Sequence, residues 1–123
     1  MSKRILLVDD EPDILDFVAM RLEAWGYEII TAPDGEKALE LLERETPDLI
    51  LLDVMMPGKD GYEVCNDIKS SEKTSRVPVI LFTAKPQQKE KLQSNYDFIA
   101  ADDYILKPFE PEVLLGKIKK FVG

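Results

Sequence analysis

The sequence predicts an α/β domain, a doubly wound five-stranded parallel sheet in the order 2-1-3-4-5 with helices on both faces. Three observations carry that expectation. Strand and helix patterns alternate along the whole chain, the signature of parallel crossover units. Ile5-Leu6-Leu7-Val8 and Leu49-Ile50-Leu51-Leu52 are continuous aliphatic runs, not alternating ones, as in strands buried on both faces. Each run ends abruptly in acid: Asp9-Asp10-Glu11 after the first, Asp53 after the second. The carboxyl ends of parallel strands are where open sheets place their ligand crevices. Such carboxylates suit a hard cation, a reaction on Asp53, or both.

The elements follow in order. Residues 4–8 form the first strand. Glu11-Pro12-Asp13 opens a helix, with proline in the first turn and acids toward the positive end of the macrodipole. Ile14, Val18, Leu22 and Trp25 keep one helical face until Gly26 stops it. Residues 27–31 form the second strand. Pro33-Asp34-Gly35 makes a turn into a helix striped by Ala38, Leu41 and Leu42. The third strand covers residues 48–52. A loop from Met56 to Gly61 precedes a helix with Gly61, Val64, Cys65 and Ile68 on one face. Residues 77–83 form the fourth strand, with Pro78 tolerable at its start. A polar helix over about residues 86–95 follows, then the fifth strand at 103–106. The last helix runs from Pro111 to Val122, striped by Leu114, Ile118 and Phe121.

Right-handed crossovers put helices on both faces. In the order 2-1-3-4-5 the first and third strands are neighbours at the switch point, so Asp9, Asp10 and Asp53 converge there. Thr83 ends the fourth strand and Lys107 follows the fifth on the same rim.

Composition sets the outer bounds. The 123 residues, 45% of them hydrophobic, suffice for one globular domain with its own core. A formal net charge of -8 argues against nucleic-acid or anionic-membrane binding, both of which need basic patches. No apolar run approaches the ~20 residues that span a bilayer. Met1-Ser2-Lys3-Arg4 leads straight into the first strand, leaving no room for a signal peptide. The single cysteine, Cys65, excludes an internal disulfide, fits a reducing cytoplasm and falls on an apolar stripe as core filler. The chain has no histidine. Ser-His-Asp and Cys-His nucleophiles, imidazole zinc sites and a histidine pH switch are thereby removed.

Val8-Asp9-Asp10-Glu11, Asp53 with Met56-Pro57-Gly58 and Asp60-Gly61, Thr83-Ala84, and Asp102-Asp103-Tyr104 followed by Lys107-Pro108-Phe109 form an ordered set. Each piece alone is weak, and the set at successive strand ends is specific. Over essentially its whole length the chain resembles a bacterial two-component response-regulator receiver domain, a flavodoxin-like fold related to the chemotaxis regulators.

The resemblance implies a phosphoacceptor signalling domain. Asp53 would take a phosphoryl group from the phosphohistidine of a sensor histidine kinase or phosphotransfer protein, or from a small acyl phosphate. Mg²⁺, with Mn²⁺ as a substitute, would be ligated by Asp10, Asp53 and the Met55 carbonyl, with Asp9 helping through water. Crowded carboxylates and oxygen-only ligands make that physically sensible. Lys107 and the hydroxyl of Thr83 would hold the transferred oxygens. Thr83 and Tyr104 would form the switch. The face made by the helix at 86–95, the fifth strand and the last helix would then bind a downstream protein or a second copy. Met55 and Lys85, two positions beyond the acceptor and the threonine, would set the lifetime of the phosphorylated form. The chain would not be an enzyme in the ordinary sense, catalysing only its own phosphorylation and slow reset. No output domain is expected within the 123 residues, and a stand-alone regulator and an excised receiver both fit.

Some positions depart from the family pattern. Ala100-Ala101 stands where glycine then alanine is usual, and residues 85–92 are unusually polar and basic for a helix near an output face. Ordinary readings stand beside the functional ones. Asp9 and Asp10 could cap the first helix, Thr83 is a common strand residue, Lys107 could be a solvated loop lysine, and Tyr104 could pack at a sheet edge. The main rival is a receiver-like interaction module independent of phosphorylation, favoured by a missing acid, threonine or lysine; none is missing. A phosphatase-type hydrolase would carry a second acid two residues beyond its nucleophile, where Met55 stands. A flavin carrier would meet an acid-lined crevice that repels its phosphate.

Overall fold

Leu49–Asp53 is buried at every position, and the sheet extends to either side of it. The computed structural model describes residues 3–56, 58, 60–83, 101–107 and 110–122. Along the chain these form β1 (Arg4–Val8), α1 (Pro12–Ala24), β2 (Glu28–Ala32), α2 (Gly35–Leu42), β3 (Leu49–Asp53), α3 (Gly61–Ser70), β4 (Val79–Thr83), β5 (Asp103–Leu106) and a C-terminal helix (Pro111–Val122). The five strands are parallel in the order β2-β1-β3-β4-β5, as the aliphatic runs and alternating pattern predict. The helix expected over 86–95, and Lys85 before it, lie outside the described residues.

The unbroken aliphatic runs have a simple cause. Successive strand residues point to opposite faces, and both faces are covered. Leu6, Val8, Ile50, Leu52, Val79 and Leu81 pack with Ala38 and Leu42 of α2 and Val64, Cys65 and Ile68 of α3. Ile5, Leu7, Leu49, Leu51, Ile80 and Phe82 pack with Val18 and Leu22 of α1 and Leu114 and Ile118 of the C-terminal helix. Cys65 is fully buried, as core filler should be.

Three strands differ slightly from expectation: β2 and β3 each lie one residue later, and β4 starts two residues later. β2 starts at Glu28 because the Tyr27 N–H is taken by the Leu22 carbonyl at 3.2 Å, closing α1 through Gly26 at φ 96°. β3 runs one residue further than predicted, so Asp53 itself is paired, in register with Phe82 of β4. β4 starts at Val79 because the Val77 N–H bonds back to Thr74 and Pro78 has none to give. β5 and the C-terminal helix match prediction.

The rim at the amino ends of the strands is fastened by ion pairs. The Arg4 guanidinium lies 3.1 Å from both Glu28 and Glu45. Lys69, at the end of α3, donates to Asp102 and to the Val77 carbonyl, each at 2.8 Å. The same Asp102 oxygen accepts the Val79 N–H at 2.8 Å, fixing where β5 begins beside β4. Among the described residues no helix is long and apolar enough to cross a membrane.

Candidate functional site

The opposite rim gathers the chemistry. Val8 of β1 is in register with Leu52 of β3, so Asp9 and Asp53 leave adjacent strands side by side. Asp9 has no exposed surface, Asp53 retains 4%, and Asp10 is exposed. Ligand oxygens of Asp9, Asp10 and Asp53 all lie within 4.8 Å of one another. The predicted convergence is therefore observed.

Lys107, one residue past β5, reaches across two strands into this cluster. Its Nζ stands 3.0 Å from Asp9 Oδ2 and 3.3 Å from Asp53 Oδ1. The ammonium also lies 5.6 Å from the centre of the Phe82 ring, within cation–π range. Lys107 is therefore not a solvated loop lysine. Asp9 is tied at both oxygens, since Oδ1 accepts the Glu11 N–H at 3.0 Å. That bond goes to Glu11, the N-cap residue itself, and not to a first-turn N–H, so it shapes the approach to α1 without capping the helix.

Electrostatics make the cluster unbalanced. Burial pushes the Asp53 carboxyl up from its ordinary 3.8 to about 6, and the charges of Asp9 and Asp10 add to the rise against the pull of Lys107. Burial works against the Lys107 ammonium, but Asp53 and Asp9 outweigh it and raise its pKa. Three carboxylates face one lysine, which leaves the crevice short of positive charge. All three donors are hard oxygens, with Asp10 on the open side, and such a set fits a hard divalent cation. The cluster can hold a metal ion.

The remaining predicted residues are placed as follows. Thr83 ends β4, in register with Leu106. Met55 sits two residues beyond Asp53 and is 56% exposed. Tyr104 lies partly buried in β5 and packs against the core cluster shared with α2 and α3. Lys85 is outside the described residues.

Two features of the site were underweighted in the sequence. Lys107 meets Asp9 as well as Asp53, the former a contact between residues 98 positions apart. Gly61, which the helical pattern marks only as part of an apolar face, abuts the backbone of Asp53 and Val54. A glycine opening a helix, where better helix formers are available, was the readable signal.

A family model described as the response regulator receiver domain matches residues 5–119. The chain is 43% identical over 119 residues to the alkaline phosphatase synthesis transcriptional regulatory protein PhoP of Bacillus subtilis, covering 97% of this chain and 48% of that protein. It is 42% identical over 116 residues to the DNA-binding dual master transcriptional regulator RpaA of Synechocystis, covering 94% and 47%. The chain thus spans about half the length of these curated relatives. Among solved structures, the receiver domain of a sensor histidine kinase from Pseudomonas aeruginosa superposes with a TM-score of 0.89 at 32% identity, covering 100% of this chain and 99% of that one. That structure holds a magnesium ion coordinated in its active-site cleft. The response regulator TrrA of Thermotoga maritima, in complex with Mg²⁺ and BeF, gives 0.85 at 41% identity, covering 97% and 98%.

Proposed function

This chain belongs to the response regulator receiver domain family, and from that membership we propose that Asp53 accepts a phosphoryl group in a Mg²⁺-dependent reaction. The observation that carries the reading is the meeting of Asp53 with Asp9, Asp10 and Lys107 at one rim.

The transfer is a substitution at phosphorus. A carboxylate oxygen of Asp53 forms the new P–O bond as the P–N bond of a phosphohistidine breaks, and the electron pair leaves with the imidazole nitrogen. Since this chain has no histidine, the donor is a sensor kinase, a phosphotransfer protein or a small acyl phosphate. Asp10, Asp53 and the Met55 carbonyl would be the direct ligands for Mg²⁺. Asp9, already engaged by Glu11 and Lys107, suits an outer role through water. When bound, the ion neutralises the carboxylates and the charge on the transferred oxygens. Lys107 would then exchange its contact with Asp53 for a phosphoryl oxygen; the Thr83 side chain, expected to donate to another, lies outside the described ones. Thr83 and Tyr104 carry the change to the face of β5 and the C-terminal helix, where a downstream protein or a second copy docks. The acidic surface leaves nucleic acid to other partners. The domain catalyses only its own phosphorylation and slow reset, a lifetime that Met55 and Lys85 are proposed to set.

The test is intact-protein mass spectrometry after incubation with acetyl phosphate. A single phosphoryl adduct that needs Mg²⁺, is labile to hydroxylamine and is lost in Asp53→Asn is the expected result. An adduct intact in that variant places the chemistry elsewhere.

A further inference from the structure

The first residue of α3 touches the acceptor's own peptide. A methyl group built on Gly61 would collide with the Asp53 carbonyl oxygen and would stand 2.6 Å from the Val54 Cα. Real Cβ atoms do not approach backbone that closely, and backbone atoms of a paired strand cannot swing aside as the tip of a side chain can. Gly61 also donates its N–H to the Val54 carbonyl at 2.9 Å, while the Val54 N–H is held by the Phe82 carbonyl at 3.0 Å. The peptides on either side of Val54 are therefore clamped, by β4 on one edge and by the start of α3 on the other. The clamp thus joins the two ends of the segment between Val54 and Gly61, within which Gly58 has φ 75°, a left-handed value that favours glycine. Asp60 secures the helix end by accepting the Glu63 N–H at 2.9 Å.

We propose that Gly61 is a positioning residue for phosphoryl transfer, whose missing side chain lets α3 seat directly on the Asp53–Val54 peptide and so fixes the acceptor carboxylate and the Met55 carbonyl at the spacing a bound cation requires. This rests on the receiver reading above and deepens it. Octahedral Mg²⁺ tolerates little displacement of its ligands. A helix pushed outward by one methyl would move the loop carrying Met55 relative to Asp10, which is anchored on β1 and not on α3.

The experiment measures Mg²⁺ binding by calorimetry, adduct formation from acetyl phosphate at saturating Mg²⁺, and thermal unfolding, in five chains. Gly61→Ala should unfold cooperatively yet bind Mg²⁺ about tenfold more weakly or worse, with slowed adduct formation that excess Mg²⁺ does not restore. Gly116→Ala, where a methyl meets nothing within 4 Å, should leave both readouts at wild-type values. Amide shifts of Asp53, Val54 and Met55 in metal-free Gly61→Ala should move, a readout independent of activity.

If Gly61→Ala fails to fold, Asp60→Ala and Asp60→Asn decide the matter, because both remove the same charge and only Asn keeps a good helix cap. The proposal requires weaker Mg²⁺ binding in the alanine variant than in the asparagine one. Equal affinities in that pair, or wild-type affinity and rate in a folded Gly61→Ala, overturn it. A wild-type chain that binds no Mg²⁺ and forms no adduct overturns the receiver reading itself.

Discussion

Lys107 is paired first with Asp9, at 3.0 Å, and only second with Asp53, at 3.3 Å. Asp9 is wholly buried, so the lysine is its only cationic neighbour among the described ion pairs. One ammonium thus balances two carboxylates that a divalent cation would otherwise share. Structural and catalytic demands on the same side chain can be separated by experiment.

Lys107→Met in metal-free protein should be destabilised by about 3–5 kcal/mol, the cost of leaving buried charge unpaired. Mg²⁺ should recover part of that loss, so its stabilising shift in melting temperature should be larger in the variant than in wild type. Adduct formation should stay impaired even with the fold restored. A variant as stable as wild type without metal would deny the pairing its structural weight.

The raised Asp53 pKa has a definite sign. Its folded value, about 6, lies above the ordinary 3.8. The stability linked to this group is fully present below about pH 4 and is lost as pH rises through about 6, on the order of 2–3 kcal/mol. Metal-free Asp53→Asn should therefore be more stable than wild type at pH 7.5, with the advantage vanishing near pH 4. Urea unfolding at the two pH values checks this, and an advantage independent of pH would rule out the burial argument. Protons also compete with the cation, so wild-type Mg²⁺ affinity should fall as pH drops through 6.

Mg²⁺ itself should bind in the millimolar to sub-millimolar range and stabilise by mass action. Trp25 caps the far end of α1, so its fluorescence should change only weakly on titration. Asp10→Ala should abolish the metal-induced thermal shift. An unchanged shift in that variant would remove Asp10 from the ligand set.

Much of this was legible in the sequence because the strong signals are local. Runs of aliphatics ending in acid located β1, β3 and the three carboxylates without any contact information. Boundaries moved by a residue or two where single hydrogen bonds decide, as at Tyr27 and Val77. The Lys107–Asp9 pair and the seat of Gly61 were harder to read. Each depends on residues brought together across the sheet or across a loop, and neither leaves a periodic trace. Asp102 shows the same limit: the motif marks it, yet its role as the clasp for Lys69 and Val79 appears only once β4 and β5 are adjacent.

That clasp carries its own prediction. Asp102→Ala leaves the partly buried Lys69 ammonium with carbonyl partners only and frees the Val79 N–H. The expected cost is about 2–4 kcal/mol in urea unfolding. Lys69→Met should cost less, because Asp102 keeps its bond to Val79. If the two substitutions cost the same, the ion pair and not the backbone bond dominates.

Under the proposed function, Met55 is expected to set the lifetime of the phosphorylated form. The residue is 56% exposed, two positions beyond Asp53. A thioether neither accepts a proton nor orients water well, while its bulk can shield the phosphorus. Lys85, the other position expected to set the lifetime, lies outside the described residues. Hydrolysis is then left to the cation and an unassisted water, and the adduct should reset slowly compared with the fast chemotaxis regulators of the family. Met55→Asn supplies an amide able to orient the attacking water. It should speed phosphoryl loss roughly three- to tenfold, the worth of about one hydrogen bond in barrier height. Met55→Leu keeps the apolar bulk and should leave the rate near wild type. Following adduct decay in Mg²⁺ by mass spectrometry settles it: equal rates in wild type and Met55→Asn would show that this position does not gate the water.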